Sequence, residues 1–200
     1  MLKIVVVDYG MGNLKSVTNA INYLGYNVFV SNKASEIEKA NALVLPGVGS
    51  FCQAIENLKK LELDIIIKSL CNDKKIPLLG ICLGMQILGN DSNEGGFNKG
   101  LSLIPGHVRK IPSKDSFRLP HIGWNNITIK NKNPIFKNIN TDSSFYFVHS
   151  YRFECDQSFI SSSTEYSSTI VSSIQKENIF GVQFHPEKSH KNGLLLLKNF

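Results

Sequence analysis

No stretch of this 200-residue sequence approaches the roughly 20 apolar residues that a membrane-spanning helix needs. No secretory leader is expected at the start either: Met1-Leu2-Lys3 runs into Ile4-Val5-Val6-Val7, Asp8 ends the run, and no small-residue cleavage site follows. A cytoplasmic location and no membrane partner are the expectation. Cysteine is sparse: Cys52, Cys71, Cys82 and Cys155 are irregularly placed with no C-x-x-C pair, which excludes a disulfide framework and a zinc ribbon. Cofactor motifs are missing as well. Gly10-Met11-Gly12 opens like a dinucleotide fingerprint, but Lys15 holds its third glycine position, and the phosphate-binding P-loop does not fit. His185 and His190 have a zinc-like spacing without a second ligand pair. Neither cofactor nor metal is expected.

Nucleic acid is excluded as a partner on charge pattern. The net charge is +6, but the basic residues are scattered in pairs such as Lys59-Lys60 and Lys74-Lys75, with no basic stripe interleaved with aromatics. No Pro/Gly/Ser linker and no internal repeat divides the chain, so residues 1–200 are expected to form one domain.

What is present alternates in its first half. Lys3–Asp8 reads as a strand, and Leu14, Val17, Ile21 and Leu24 recur at helical spacing before Gly25. Strands follow at Asn27–Ser31, Ala42–Pro46 and Leu78–Cys82, with helices over Gln53–Leu61, Asp64–Cys71 and from Leu83 onward. Alternation of this kind argues for a parallel sheet with helices on both faces. Beyond about residue 100 the pattern becomes strand-rich: Val108–Ile111, Ile127–Lys130, Phe145–Tyr151, Thr169–Gln175 and Ile179–His185, with a last helix over Gly193–Phe200. Ser161-Ser162-Ser163 and Ser167-Ser168 read as turn or strand-edge residues.

Chemistry concentrates at Gly80-Ile81-Cys82-Leu83-Gly84-Met85-Gln86. A buried strand turning sharply into a helix, with glycines on both sides of the middle residue, is a nucleophile elbow. The thiol would stand at a helix start, where unpaired N–H groups favour negative charge. An inert buried cysteine is the alternative. Phe184-His185-Pro186-Glu187-Lys188-Ser189 argues against that, since His185 supplies a base and Glu187 a carboxylate to orient it. On a regular strand the two would share a face, although Pro186 suggests a strand end. Leu83 N–H is the first oxyanion donor. A backbone N–H within Pro46-Gly47-Val48-Gly49 is a second, and an ordinary glycine loop fits that spacing equally well. Gln86, one helical turn after Cys82, can face the same site.

Pro46-Gly47-Val48-Gly49-Ser50-Phe51, the cysteine segment and the histidine segment together resemble the class I, triad-type glutamine amidotransferases. Asp8-Tyr9-Gly10-Met11-Gly12-Asn13-Leu14, Leu119-Pro120-His121-Ile122-Gly123-Trp124-Asn125 and Tyr146-Phe147-Val148-His149-Ser150-Tyr151 narrow the resemblance to the glutaminase subunits of imidazole glycerol phosphate synthases. The resemblance covers essentially the whole chain. It implies the class I amidotransferase fold: one α/β domain whose central mixed sheet, parallel in the N-terminal half and more antiparallel in the C-terminal half, is flanked by helices. It also implies hydrolysis of glutamine by Cys82, His185 and Glu187, with Val48 as the reorienting oxyanion donor between Gly47 and Gly49. Gln86 and Glu94 would contact bound glutamine, and Ser150 would help receive its α-carboxylate.

Nothing in the sequence beyond such a unit would bind an ammonia acceptor. Free ammonia is largely protonated at neutral pH, so the acceptor site is expected on another chain, reached by a shielded path. The resemblance makes that chain a (β/α)8-barrel synthase subunit in a heterodimer of histidine biosynthesis, and Asn13, Ser16, Trp124 and Lys188 candidate interface residues. Two alternatives remain open: a glutaminase subunit serving a surface-polysaccharide sugar amidotransferase, and a stand-alone cysteine hydrolase on the same scaffold.

Overall fold

In the computed structural model, which describes residues 2–112 and 117–200, the chain begins with the alternation expected. β1 (Ile4–Val7) leads to α1 (Leu14–Tyr23), β2 (Val28–Ser31) to the single turn α2 (Ala34–Ile37), and β3 (Ala42–Gly47) to α3 (Phe51–Lys60) and α4 (Leu63–Asn72). β4 (Leu78–Cys82) passes directly into α5 (Leu83–Gln86). Side-chain chemistry sets the helix starts. The Asn13 side chain accepts from the Ser16 N–H at the head of α1, and Ser50 accepts from the Gln53 N–H at the head of α3.

The strand-rich remainder consists of β5 (Asp91–Ser92), β6 (Asn98–Lys99), β7 (His107–Lys110), β8 (His121–Asn126), β9 (Thr128–Ile129), β10 (Ser144–His149), β11 (Tyr151–Glu154), β12 (Ile160–Glu165), β13 (Thr169–Lys176) and β14 (Ile179–Val182). Helix α6 (His190–Asn199) follows.

Eight strands form the central sheet in the order β2-β1-β3-β4-β14-β13-β12-β9. Pairings from β2 through β14 are parallel and the rest antiparallel, so the sheet is mixed as expected. β14 belongs to the parallel half although it comes late in the sequence, because it pairs with β4 in parallel register, Gly181 opposite Gly80. One face of the sheet packs Val5, Leu43 and Leu45 against α3, α4 and a four-stranded sheet β11-β7-β5-β6. The other packs Val6, Val44 and Phe184 against α1, α6 and the β8–β10 pair. No helix among the described residues is long and apolar enough to cross a membrane.

Four local expectations give way. The strand expected over Phe145–Tyr151 is broken at Ser150: β10 pairs with β8, whereas β11 pairs with β7 in another sheet. The strand expected to reach His185 ends at Val182, because Pro186 opens a 3-10 turn, Pro186–Lys188. The helix expected after Leu83 is a single turn. Ser161, Ser162 and Ser163 are not turn or edge residues but buried members of β12 between β13 and β9. They avoid a desolvation penalty by bonding each other's neighbours: Ser162 Oγ lies 2.6 Å from Ser172 Oγ and 2.7 Å from Ser173 Oγ, and Asn133 donates to Ser161 Oγ.

Candidate active site

Cys82 is the last residue of β4 and stands immediately before α5. Its backbone holds φ 55° and ψ −109°, a strained conformation for a residue with a side chain, which persists only where the surroundings over-determine it. Close packing does that here. A Cβ on Gly80 would come within 2.6 Å of the Gly84 carbonyl oxygen, and a Cβ on Gly84 would collide with the Leu45 carbonyl on β3. The two glycines let strand and helix meet at the turn that presents the sulfur. Because α5 is one turn long, only the first N–H groups of that turn remain from the helix-end argument.

His185 arrives from the chain just past β14, and its N–H donates to the Tyr146 carbonyl on β10. Ser189 braces it, donating from Oγ to the His185 carbonyl at 2.6 Å and accepting from the Tyr146 N–H. Glu187 stands on the 3-10 turn, its side chain 2% exposed, with Oε1 2.8 Å from His185 Nδ1. An ionised carboxylate only accepts, so Nδ1 carries the proton and Nε2 is left free. That Nε2 is buried without a conventional hydrogen bond, and Cys82 is the neighbour that acts on it. Burial opposes the imidazolium, but the hydrogen bond to Glu187 and the Cys82 sulfur beside the ring, reinforced by their charges, raise the His185 pKa to about 10.

A cavity of about 290 Å³ opens over the sulfur. Val48, Cys82, Leu83, Gln86, Glu94 and Ser150 all line it, together with Gly49 and the wall Val148–Tyr151. The break at Ser150 explains how that residue reaches the site, for it sits where the chain leaves one sheet for another. Gly47 lies beneath the loop as the buried end of β3, opposite Cys82, and does not line the cavity. His185 and Glu187 stand behind the sulfur and not in the cavity wall. Glu94 carries a second contact, since its Oε2 accepts from the Phe51 N–H that opens α3. Both N–H bonds of the Gln86 amide are engaged, with the Tyr151 carbonyl and Gln183 Oε1, which leaves its own carbonyl oxygen for a ligand.

None of the other three cysteines lines the cavity over Cys82. Burial pushes the Cys71 thiol up to about 12, and burial with the neighbouring Asp156 does the same to Cys155. Cys52 is raised by its hydrogen bond to Glu56. His121 and His149 form a buried pair, Nδ1 to Nε2 at 3.1 Å, and His149 Nδ1 donates to the Tyr151 carbonyl. Burial lowers them to about 4 and about 3, so both are neutral struts behind the Val148–Tyr151 wall. His107 is instead a half-exposed partner of Asp91 on β5.

Sequence reasoning missed Gln183, which is fully buried and donates from Nε2 to Cys82 Sγ at 3.6 Å. A signal was available: Gln183 precedes His185 by two in an otherwise apolar run, and a polar residue there needs a buried partner.

Over residues 5–200 the chain matches the family described as Glutamine amidotransferase class-I. It is 46% identical over 198 residues to imidazole glycerol phosphate synthase subunit HisH 2 of Methanococcus maripaludis, covering 98% of each chain. It is 44% identical to subunit HisH of Listeria innocua, covering 98% of this chain and 94% of that one. Its fold superposes on PurLQS from Thermotoga maritima with a TM-score of 0.75 at 15% identity, covering 99% of this chain and 96% of that one.

Proposed function

The chain belongs to the class I glutamine amidotransferases, and from that premise we propose that it is the glutaminase subunit of an imidazole glycerol phosphate synthase in histidine biosynthesis. The observation that carries the chemistry is the strained Cys82 elbow backed by the His185–Glu187 pair and open to a cavity on its other side. Full-length relatives at 43–46% identity that are synthase subunits weigh against the polysaccharide alternative.

Cys82 attacks the side-chain amide carbon of glutamine as a thiolate, forming the S–C bond of a tetrahedral oxyanion. Leu83 N–H and Val48 N–H stabilise that oxygen. Collapse breaks the C–N bond as the His185 imidazolium delivers its proton to the leaving nitrogen, releasing ammonia and leaving a γ-glutamyl thioester. Water then adds with His185 as base, and the C–S bond breaks to give glutamate. Glu187 holds the imidazole tautomer and stabilises its cation. Gln86 and Glu94 grip the amino-acid end of the substrate, with Ser150 at its carboxylate. No cofactor is required.

Ammonia passes to a (β/α)8-barrel synthase subunit in a cytoplasmic heterodimer. The docking face is the groove of about 450 Å³ between α1 and α6, lined by Ser16, Tyr23, Lys188 and His190, together with the nearby exposed Trp124. The Trp124 ring stacks on His190, centroids 5.0 Å apart. Glu187 also lines this groove, so the triad and the docking face share a wall. Asn13 lies at the same end of α1 as its cap.

Glutamate release by the chain alone, with the synthase partner, and with the partner plus its nucleotide tests the reading. Turnover should rise roughly a hundredfold to thousandfold across the series, the worth of one oxyanion donor. Full-rate hydrolysis by the chain alone would favour a stand-alone hydrolase.

A further inference from the structure

The amide of Gln183 has its orientation dictated by a group that cannot change roles. The Tyr151 backbone carbonyl only accepts, so Gln86 turns its Nε2 toward it, at 3.1 Å. The second N–H of the same nitrogen meets Gln183 Oε1 at 2.9 Å. Gln183 is thereby left with its Nε2 facing Cys82 Sγ at 3.6 Å. A reversed Gln183 would set two N–H groups against each other and a carbonyl oxygen against the sulfur. The backbone is fixed as well, because the Gln183 N–H donates to the Ser172 carbonyl of β13 at 2.9 Å.

We propose that Gln183 is a further catalytic residue of this centre, a donor that stabilises the Cys82 sulfur whenever it carries negative charge. The inference rests on the glutaminase reading for its place in the reaction. A hydrogen bond to an ionised acceptor is about twice as strong as one between neutral groups. The sulfur is anionic twice in the cycle, before it attacks the amide and as it leaves the thioester. In the second event the water oxygen bonds to the acyl carbon, a water proton goes to His185, and the electron pair of the broken C–S bond returns to the sulfur. In the thioester between them the sulfur is neutral and the contact weakens. Gln183 therefore favours the charged states over the intermediate, the differential interaction that catalysis requires. A donor is needed there because another neighbour works the other way: the Val148 carbonyl, 3.8 Å from Sγ, suits an S–H and opposes a thiolate.

Alkylation of Cys82 by iodoacetamide in the purified full chain tests this, with the modified peptide followed by mass spectrometry and folding checked by thermal melting. Gln183→Met keeps the volume and removes the donor, and its alkylation rate at neutral pH should fall about tenfold. Gln183→Glu should fall further, since it sets a carboxylate beside the sulfur. Gln183→Asn, too short to span both partners, serves if the methionine variant does not fold, and should match it. A merely structural role, exerted through Gln86, would raise KM for glutamine and leave reaction with this small electrophile unchanged. Rates within about twofold of the parent in any folded variant overturn the proposal. The electrophile is not a glutamine analogue, so a chain that alkylates normally but releases no glutamate even with the synthase partner and its nucleotide present would count against the glutaminase reading instead.

Discussion

The parallel and antiparallel halves of the central sheet solve the problem of burial in opposite ways. In β1, β3 and β4 every residue is buried and nearly all are apolar, and these strands end in the cysteine and the Gly47-Val48-Gly49 loop. In β12 and β13 serine and threonine are buried among isoleucines, and the hydroxyls of Ser161, Ser162, Thr164, Ser172 and Ser173 each meet a hydrogen-bonding neighbour. The polar groups around the sulfur come from segments packed against those strands: the Val148–Tyr151 wall, where β10 passes to β11 on the His121–His149 pair, and Gln183 just past β14, anchored on Ser172 of β13. The apolar parallel strands set where Cys82 stands; the hydrogen-bonded segments around them set what it meets. A reactive centre at their seam needs both, because apolar packing fixes position without supplying charge, and hydrogen-bonded groups supply charge only where packing excludes water.

Removing the proposed nucleophile tests that division most severely. Cys82→Ala should lower partner-stimulated glutamate release by ~10⁴-fold or more, while serine at 52, 71 or 155 leaves it nearly unchanged. Retained turnover in Cys82→Ala would erase the role assigned to the parallel half. Glu187→Gln probes the other contributor, keeping shape while losing the charge that holds His185. Its kcat should drop by about 10²–10⁴ with KM little altered, and an unchanged kcat would make Glu187 structural. Gly84→Ala asks whether the apolar side is as unforgiving as its geometry implies. The added methyl meets the Leu45 carbonyl, so thermal or urea unfolding should show a loss of about 3 kcal/mol or more. A melting point equal to that of the parent would show that strand and helix can part.

The smallest effect concerns acid. His149 takes up its proton near 6.5 when unfolded but only near 3 when folded. Between those values the unfolded chain holds the extra proton, so this residue makes stability fall as pH drops from about 6.5 toward 3. His185 has the opposite sign: its raised pKa contributes stability that is full below about 6.5 and lost as pH rises through about 10. In His149→Gln the acid-side decline should be shallower in pH-dependent urea titrations. An unchanged slope would assign the decline to His121 and the carboxylates.

The parallel half was also the legible half. Continuous apolar runs such as Ile4-Val5-Val6-Val7 and periodic ones such as Leu14, Val17 and Ile21 announce their own structure, and seven of the expected elements there lie within two residues of those observed. Short strands paired across long separations announce little. β8 was not foreseen because its apolar residues, Ile122 and Trp124, point outward, at 59% and 49% exposure. The serines of β12 were misread because local propensity favours turns, whereas their burial depends on partners ten residues away on β13. At the site, Cys82, His185 and Glu187 could be nominated from their spacing and neighbours. Gln183 showed only as a polar residue in an apolar run, and its partners Gln86 and Cys82 are brought to it only by the pairing of β4 with β14.

That pairing also fixes when the site comes into being. β14 is inserted between β4 and β13 in the sheet, yet Gln183 follows Cys82 by 101 residues. While the chain is being synthesised, β4 waits with one edge open, apolar on both faces and without the strand that will cover it. Such an edge is a template for pairing with a neighbouring nascent chain. The strand that closes this edge leads straight into the histidine, so protection of the sheet and assembly of the reactive centre are the same late event. A partly made chain therefore holds its thiol with no base beside it, and reactivity is withheld until the sheet is sealed.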